Sequence, residues 1–176
     1  ITIVNRGGYK HPITGEMQTG VSYKDKNQRI LYVEDDTKEF VRKEDMKDHI
    51  PKLTDFLFDF LDSEGVPVHL ILSHYWDSAL MGIQLNQKGS SPVKHVWVPH
   101  SLGEVKKKNM KPDTWEKLRI DERIETEHTF KDHLDGVAAT SALIRDSLIK
   151  DYGFSNPFFL PPCVNPERFY KRELEP

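Results

Sequence analysis

Short apolar runs alternate with amphipathic helical segments along most of this chain. Runs rich in Val, Ile and Leu span Gln28–Val33 and Val66–Leu72, and the second is so continuously apolar that it favours a strand covered on both faces. Between them, apolar residues recur at helical spacing over Met46–Leu61, which indicates an amphipathic helix that begins or kinks near Pro51. This part of the chain therefore reads as strand, helix, strand.

The alternation continues through the rest of the sequence. Strands that alternate with helices form βαβ units with right-handed crossovers. The sequence therefore predicts the α/β class, with a Rossmann-like, open and mostly parallel sheet that carries helices on both faces. The remaining predicted segments are, in order, a helix over Asp77–Leu85, a strand over Val93–Val98, a long polar helix over about Asp113–His133, a small-residue strand over Gly136–Thr140, a short helix that ends at Tyr152 and an apolar run over Phe158–Leu160.

Length and composition limit the classes of protein to which this chain can belong. Its 176 residues suit a single domain. The net charge of -3 provides no overall basic field, so nucleic acid is not an expected partner. The lone Cys163 cannot form an intramolecular disulfide, which favours a reducing, cytoplasmic location, and no run of about 20 apolar residues predicts a transmembrane segment.

Polar side chains follow three of the predicted strands. His74 comes after the run that ends at Ser73, His100 follows Val93–Val98, and Thr140-Ser141 ends the third run. Ligands of open parallel sheets bind outside the carboxyl ends of the strands, so these positions predict a shared cleft. The imidazole of His74 or His100 could hydrogen-bond a sugar hydroxyl or orient a reacting group. The alternative is that each is a structural histidine whose hydrogen bonds are made within the protein. His69 and His95 lie within predicted strands and are expected to pack in the core.

Cationic residues are concentrated after His100. A cluster of this kind can hold a phosphorylated substrate through charge-assisted hydrogen bonds, and Arg can bind two oxygens at once. The alternative is a solvated loop followed by the exposed face of a helix. The cations concerned are Lys106, Lys107, Lys108, Lys111, Arg119 and Arg123.

Several types of catalytic site lack their sequence signatures here. The eight histidines show neither a His-Glu-x-x-His pattern nor a Cys/His ligand spacing, so no metal site is expected. Ser73, Ser101 and Ser141 lack the Gly-x-Ser-x-Gly elbow of serine hydrolases, and no Walker lysine motif occurs.

A set of motifs in a fixed order extends over most of the chain. In this order they resemble the acceptor-side domain of sucrose-phosphate synthases and their relatives among the GT-B retaining glycosyltransferases of family 4. The motifs are His74-Tyr75-Trp76-Asp77, His100-Ser101-Leu102-Gly103 with Lys106, Arg123-Ile124-Glu125-Thr126-Glu127, Thr140-Ser141, Pro161-Pro162-Cys163-Val164-Asn165 and Arg168-Phe169.

The resemblance implies roles for individual residues. His100 would be catalytic and lie beside the transferred sugar, His74 would line the cleft, and Lys106 and Arg123 would contact the phosphate of the acceptor. Lys43 is a further expected acceptor-binding residue, in a segment where Glu39 and Phe40 depart from the family pattern. A nucleotide-sugar such as UDP-glucose would be the co-substrate, and no cofactor or metal would be required.

The resemblance also implies an organisation of the whole enzyme. The chain would begin after the first strand and glycine-rich loop of the acceptor domain and stop where the donor domain begins, so the isolated fragment would be inactive. The sequence leaves open a relative with another acceptor, such as a mannosylfructose-phosphate synthase or a transferase acting on glycerate or a lipid. A non-catalytic binding module is the alternative outside enzymology. The donor nucleotide, the sugar transferred and the oligomeric state are not determined by these residues.

Overall fold

A computed structural model describes residues 1–165 and 167 of the chain. The strands in this part are β1 Thr2–Arg6, β2 Tyr9–Lys10, β3 Met17–Gln18, β4 Gly20–Asp25, β5 Gln28–Val33, β6 Leu70–His74, β7 Lys94–Val98, β8 Gly136–Ala139 and β9 Phe158–Phe159. The helices are α1 Ile50–Glu64, α2 Tyr75–Lys88, α3 Gly103–Lys108, α4 Pro112–Lys117, α5 Ile120–His128 and α6 Ala142–Lys150, with short 3-10 helices over Lys43–Asp48 and Thr129–His133.

The strands form one larger parallel sheet and two smaller sheets. The larger sheet has the order β6-β7-β8-β9, and all of its neighbouring strands run parallel. In the three-stranded sheet, β5 lies between β1, which is parallel to it, and β4, which is antiparallel. β2 and β3 form a small antiparallel hairpin. The predicted mostly parallel α/β arrangement is therefore present, and none of the described helices is long and apolar enough to cross a membrane.

Two hydrophobic clusters hold the sheets to their helices. Trp97 of β7 is fully buried and meets the ring of Phe130 edge-on, with the ring centroids 5.1 Å apart. Leu31 of β5 belongs to the second cluster, which packs the three-stranded sheet against α1. Met46 and Met81 contact both clusters, so the two sheets share one continuous core.

The predicted long polar helix over residues 113–133 is wrong. The chain instead forms α4, α5 and a 3-10 helix, and Arg119 interrupts the first two in the left-handed conformation, with φ 48°. Ile120 and Ile124 are buried, whereas Trp115 of α4 is only partly covered. Burial of the two isoleucines holds α5 against the core, and the break at Arg119, which carries no glycine or proline to signal it, is not evident from the sequence.

The prediction that the second apolar run is covered on both faces is also wrong. Leu70 and Leu72 of β6 are 56% and 50% exposed, and only the alternate residues Ile71 and Ser73 face inward. β6 bonds to β7 along one edge, and α2 is the helix that packs most extensively against it. His69, expected in the core, lies just outside the strand and is exposed.

His95 of β7 is buried in the core, as predicted. Its Nε2 atom lies 2.8 Å from Ser73 Oγ, while its Nδ1 atom is buried without a hydrogen-bond partner among the described residues. Gly82 of α2 passes directly over the ring, since a Cβ atom there would lie 2.5 Å from His95 Cε1. Burial lowers the pKa of His95 to about 4, because the interior disfavours the charged imidazolium.

The buried imidazole predicts an acid-sensitive fold. Below about pH 6.5 the unfolded chain protonates His95, whereas the folded chain does so only near pH 4, so the unfolding free energy should fall by up to about 3 kcal/mol across this interval. Urea unfolding of the wild type and of His95→Gln at pH 7 and pH 4.5 measures the difference. His69→Gln removes an exposed imidazole as the control, and an equal loss of stability in His95→Gln and the wild type would contradict the assignment.

Candidate functional site

The carboxyl ends of β6 and β7 bring two predicted site histidines together. The register of the two parallel strands sets His74 opposite Val98, two residues before His100. The Nδ1 atom of His74 lies 2.7 Å from Nε2 of His100, and the two rings stack with their centroids 5.0 Å apart. Because one nitrogen must accept this hydrogen bond, the two rings cannot both be fully protonated while they are paired.

Backbone strain is concentrated at these same strand ends. Tyr75 and His100 both have positive φ values, 67° and 54°, which side-chain-bearing residues seldom adopt. Their rings lie against each other with centroids 5.0 Å apart, and the indole of Trp97 donates a hydrogen bond to the Tyr75 carbonyl at 3.0 Å. The surrounding structure therefore imposes the strained turns, an arrangement that is common at functional sites.

Lys43 links the two histidines to a neighbouring pocket. Its Nζ atom lies 3.7 Å from the centroid of the Tyr75 ring and 3.7 Å from Oδ1 of Asp77. It comes from the 3-10 helix that precedes α1, a long way from the histidines in sequence. The structure thus brings this predicted acceptor-binding residue to the edge of the histidine pair.

The pocket beside the histidines has a mainly cationic wall. Lys106 and Arg123, predicted to contact the phosphate of the acceptor, line it, and so does Lys43, predicted to bind the acceptor. Two further cations, two acids and several apolar side chains complete the lining. The cations are Lys43, Lys47, Lys106, Arg119 and Arg123, the acids are Glu44 and Glu122, and the apolar residues include Trp76, Leu118 and Ile120.

The charges in this pocket are only partly compensated. Glu122 accepts a hydrogen bond from Arg119 Nε at 2.6 Å and pairs with Lys47 at 3.3 Å, which neutralises one side of the pocket. Lys106 makes no ion pair with any residue that the structure describes. Burial lowers the pKa of Lys106, and the nearby charges of Arg123 and Lys43 lower it further. A lysine that is destabilised by its cationic neighbours is well placed to bind an anion.

Burial also lowers the pKa values of Lys43 and His100. The pKa of Lys43 falls mainly because of burial, with the Asp77 carboxylate opposing the shift. The pKa of His100 falls mainly because of burial, and electrostatic interactions with His74 and with Lys43 lower it further. His100 is therefore neutral at physiological pH and can both donate and accept a hydrogen bond.

Arg123 is more deeply buried than the sequence suggested. It is 6% exposed, and its Nε donates to Oε1 of Glu127 at 2.7 Å. Its Nη2 donates to the carbonyl of Ser101 at 2.6 Å. Its Nη1 makes no hydrogen bond within the described part of the chain, and the residue lines the pocket.

The run of lysines divides between the pocket and the surface. Lys106 turns into the pocket, whereas Lys107 pairs with Asp121 and Lys108 pairs with Asp151 on the outside of the protein. The solvated-surface interpretation is therefore correct for the latter two lysines. Ser141, in another of the motifs, accepts a hydrogen bond from Ile144 N at 3.2 Å and so caps α6.

Three residues of this region were not identified as functional from the sequence. Tyr75 lies between Lys43 and His100, and Glu127 and Tyr152 meet beneath the loop that carries His100. Tyr75 and Glu127 stand within two of the quoted motifs, and the spacing of four between Arg123 and Glu127 places those two residues one helical turn apart. No group of three or more potential metal ligands comes together among the residues that the structure describes.

Comparison with known proteins identifies relatives of this chain. No protein-family model matches it. It is 30% identical over 155 residues to the mannosylfructose-phosphate synthase of Agrobacterium fabrum, a match that covers 83% of this chain. The predicted resemblance to sucrose-phosphate synthase and its glycosyltransferase relatives is confirmed. The chain spans about a third of the length of that curated relative, 34%.

Solved structures establish the fold of this glycosyltransferase homologue. A sucrose-phosphate synthase from Thermosynechococcus elongatus superposes with a TM-score of 0.76 at 20% identity, over 96% of this chain and 39% of that one. A second structure under the same protein name gives a TM-score of 0.67 at 18% identity and covers 95% of this chain and 78% of that one. The predicted fold class is confirmed, while Arg168 and Phe169 of the last motif lie outside the described residues.

The strained loop predicts an unusual response to glycine. At an ordinary helical position, such as the exposed Glu125 within α5, a Gly variant should have an unfolding free energy about 1 kcal/mol lower than an Ala variant. At His100 the order should reverse, because φ is 54° and a Cβ atom costs about 1–2 kcal/mol in that region. Thermal unfolding of the Ala and Gly variants at both positions tests this, and an Ala variant at position 100 as stable as the Gly variant would contradict the strain.

Proposed function

We propose that this chain forms the acceptor side of a retaining glycosyltransferase that transfers a hexosyl group from a nucleotide-sugar, such as UDP-glucose, to a sugar phosphate. The pocket in which Lys43, Lys106 and Arg123 converge is the observation that carries the proposal. Lys106 has no ion-pair partner in the described chain, and Arg123 has an unused Nη1. Together they offer a phosphate dianion both a point charge and a planar donor.

The position of His100 supports its proposed catalytic role. The ring of His100 contacts Tyr75, and Tyr75 in turn contacts Lys43 at the edge of the pocket. An acceptor held in the pocket by its phosphate would therefore direct its hydroxyl groups toward the strand ends. A neutral imidazole there can hydrogen-bond the transferred sugar. In a retaining transfer the acceptor hydroxyl and the departing diphosphate react on the same sugar face, so the protein contributes mainly positioning and charge stabilisation.

The names of the relatives agree with a phosphorylated acceptor. Mannosylfructose-phosphate synthase and sucrose-phosphate synthase are both named for a phosphorylated disaccharide. The two names share the phosphate but differ in the hexosyl group that is transferred. They therefore support a phosphorylated acceptor more strongly than they support any particular sugar donor. Because the chain matches only 34% of the curated relative, we place the donor site in the remainder of a longer enzyme.

Calorimetric titration tests the acceptor site directly. The chain should bind fructose 6-phosphate more tightly than fructose, and Lys43→Met and Lys106→Met should each weaken binding of the phosphate by about 10- to 100-fold, since a hydrogen bond to a charged group contributes about 1.5–3 kcal/mol. Methionine keeps the length of the lysine stem and removes the ammonium group, with both its charge and its hydrogen-bond donors. Lys108→Met is the matched control, because Lys108 lies on the same helix but pairs with Asp151 at the surface.

Two results would contradict the proposal. Equal affinity for fructose and fructose 6-phosphate would mean that the cations do not recognise the phosphate. Equal losses of affinity in Lys106→Met and Lys108→Met would mean that only the overall charge of the chain matters. A chain that binds sugar phosphates but shows no transfer in the full-length protein, when that protein is supplied with nucleotide-sugars, would indicate a non-catalytic binding module.

A further inference from the structure

The carboxylate of Glu127 is fully buried and lies directly behind the proposed phosphate pocket. It accepts hydrogen bonds from three donors: Arg123 Nε at 2.7 Å, the backbone nitrogen of Gly103 at 2.8 Å and the hydroxyl of Tyr152. Burial and the charge of Glu127 raise the pKa of Tyr152, so its hydroxyl stays protonated and donates. A buried carboxylate with three donors is held in a single orientation.

Glu127 and Tyr152 together replace the missing N-cap of α3. Leu102 stands at the N-cap position and has no side-chain group that could accept a hydrogen bond. The free backbone nitrogens of the first turn, at Gly103 and Glu104, donate instead to Glu127 and to the Tyr152 hydroxyl, the latter at 3.1 Å. α3 carries Lys106, so these two residues fix the helix that presents one of the phosphate-binding cations.

The same carboxylate also fixes Arg123 and, through it, the loop that carries His100. With Nε bound to Glu127, the guanidinium turns its Nη2 to the carbonyl of Ser101 and leaves Nη1 for the pocket. The close packing at this point requires Gly103, because a Cβ atom there would lie 2.5 Å from Ile124 Cγ1 and 3.2 Å from Glu127 Oε2. A side chain at position 103 would push α3 away from α5.

We infer that Glu127 is a positioning residue for acceptor binding: it orients Arg123 and α3 so that Arg123 and Lys106 converge on one phosphate, with Tyr152 as its support. This inference rests on the proposed function of the pocket. It is not an expected role for an acidic residue near a phosphate site, because the negative charge of Glu127 by itself opposes anion binding. The two effects have opposite signs, which makes the role of Glu127 measurable.

Glu127→Gln separates the two effects. If Glu127 acts only through its charge, its neutralisation should strengthen binding of fructose 6-phosphate. If it acts by positioning, Glu127→Gln should weaken that binding at least 10-fold and leave the affinity for fructose unchanged. Tyr152→Phe keeps the charge, removes only the supporting hydroxyl and should weaken binding about 3-fold or more. It also carries the test if Glu127→Gln does not fold.

Glu122→Gln is the matched control, since Glu122 is a second carboxylate of the pocket. It compensates Arg119 and Lys47 rather than orienting Arg123, so its neutralisation should strengthen binding several-fold. Binding of fructose 6-phosphate by Glu127→Gln that equals or exceeds that of the wild type would overturn the positioning role. The same result would leave the proposed phosphate site intact.

Nuclear magnetic resonance tests the positioning without any ligand. The Arg123 Nε–Hε group and the Gly103 amide should exchange slowly with solvent in the wild type and at least 10-fold faster in Glu127→Gln, while amides of the parallel sheet keep their protection. If the wild type binds no sugar phosphate, the proposed function fails, and this measurement still decides whether Glu127 orients Arg123 and α3. Unchanged exchange at both groups in Glu127→Gln would overturn the inference.

Discussion

The buried hydrogen-bond cluster around Glu127 is the constraint on which the candidate site depends. A carboxylate with no exposed surface is costly in a protein interior unless its charge is paired and its oxygens are bonded, and removal of one partner from a buried pair costs about 3–5 kcal/mol. Here the partners are Arg123 and the first turn of α3. The hydrogen bonds that offset the burial of Glu127 therefore also hold Arg123 and the helix that carries Lys106.

Strained backbone at the carboxyl ends of β6 and β7 is a second constraint on the site. Tyr75 and His100 adopt positive φ values at the ends of neighbouring strands. The indole of Trp97 donates a hydrogen bond to the Tyr75 carbonyl, and the ring of His100 packs against those of Tyr75 and His74. This arrangement sets a neutral imidazole beside a cationic pocket. A polar, preorganised surface of this kind suits a reaction in which the protein positions two substrates and stabilises the charge that develops between them.

Much of this site could be predicted from the sequence, and the failures have physical reasons. The strand-end rule placed His74 and His100 together, and the resemblance selected Lys43, Lys106 and Arg123, all of which line one pocket. The predicted long helix was wrong because the chain breaks at Arg119, where a non-glycine residue adopts a positive φ that nothing in the local sequence indicates. Glu127 and Tyr152 escaped prediction because, apart from Arg123, the partners that they bind lie 24 to 48 residues away.

The sequence by itself determined the alternation of strands and helices, the polar residues at the strand ends and the position of the cationic run, because each of these follows from local periodicity and chain direction. The tertiary structure alone decided which of three consecutive lysines enters the pocket, which arginine is buried and which carboxylate holds it. Neighbouring lysines have the same local preferences and differ only in the surface that they meet. That surface is formed by α5, Tyr152 and the 3-10 helix before α1, segments far apart in the chain that only packing brings together.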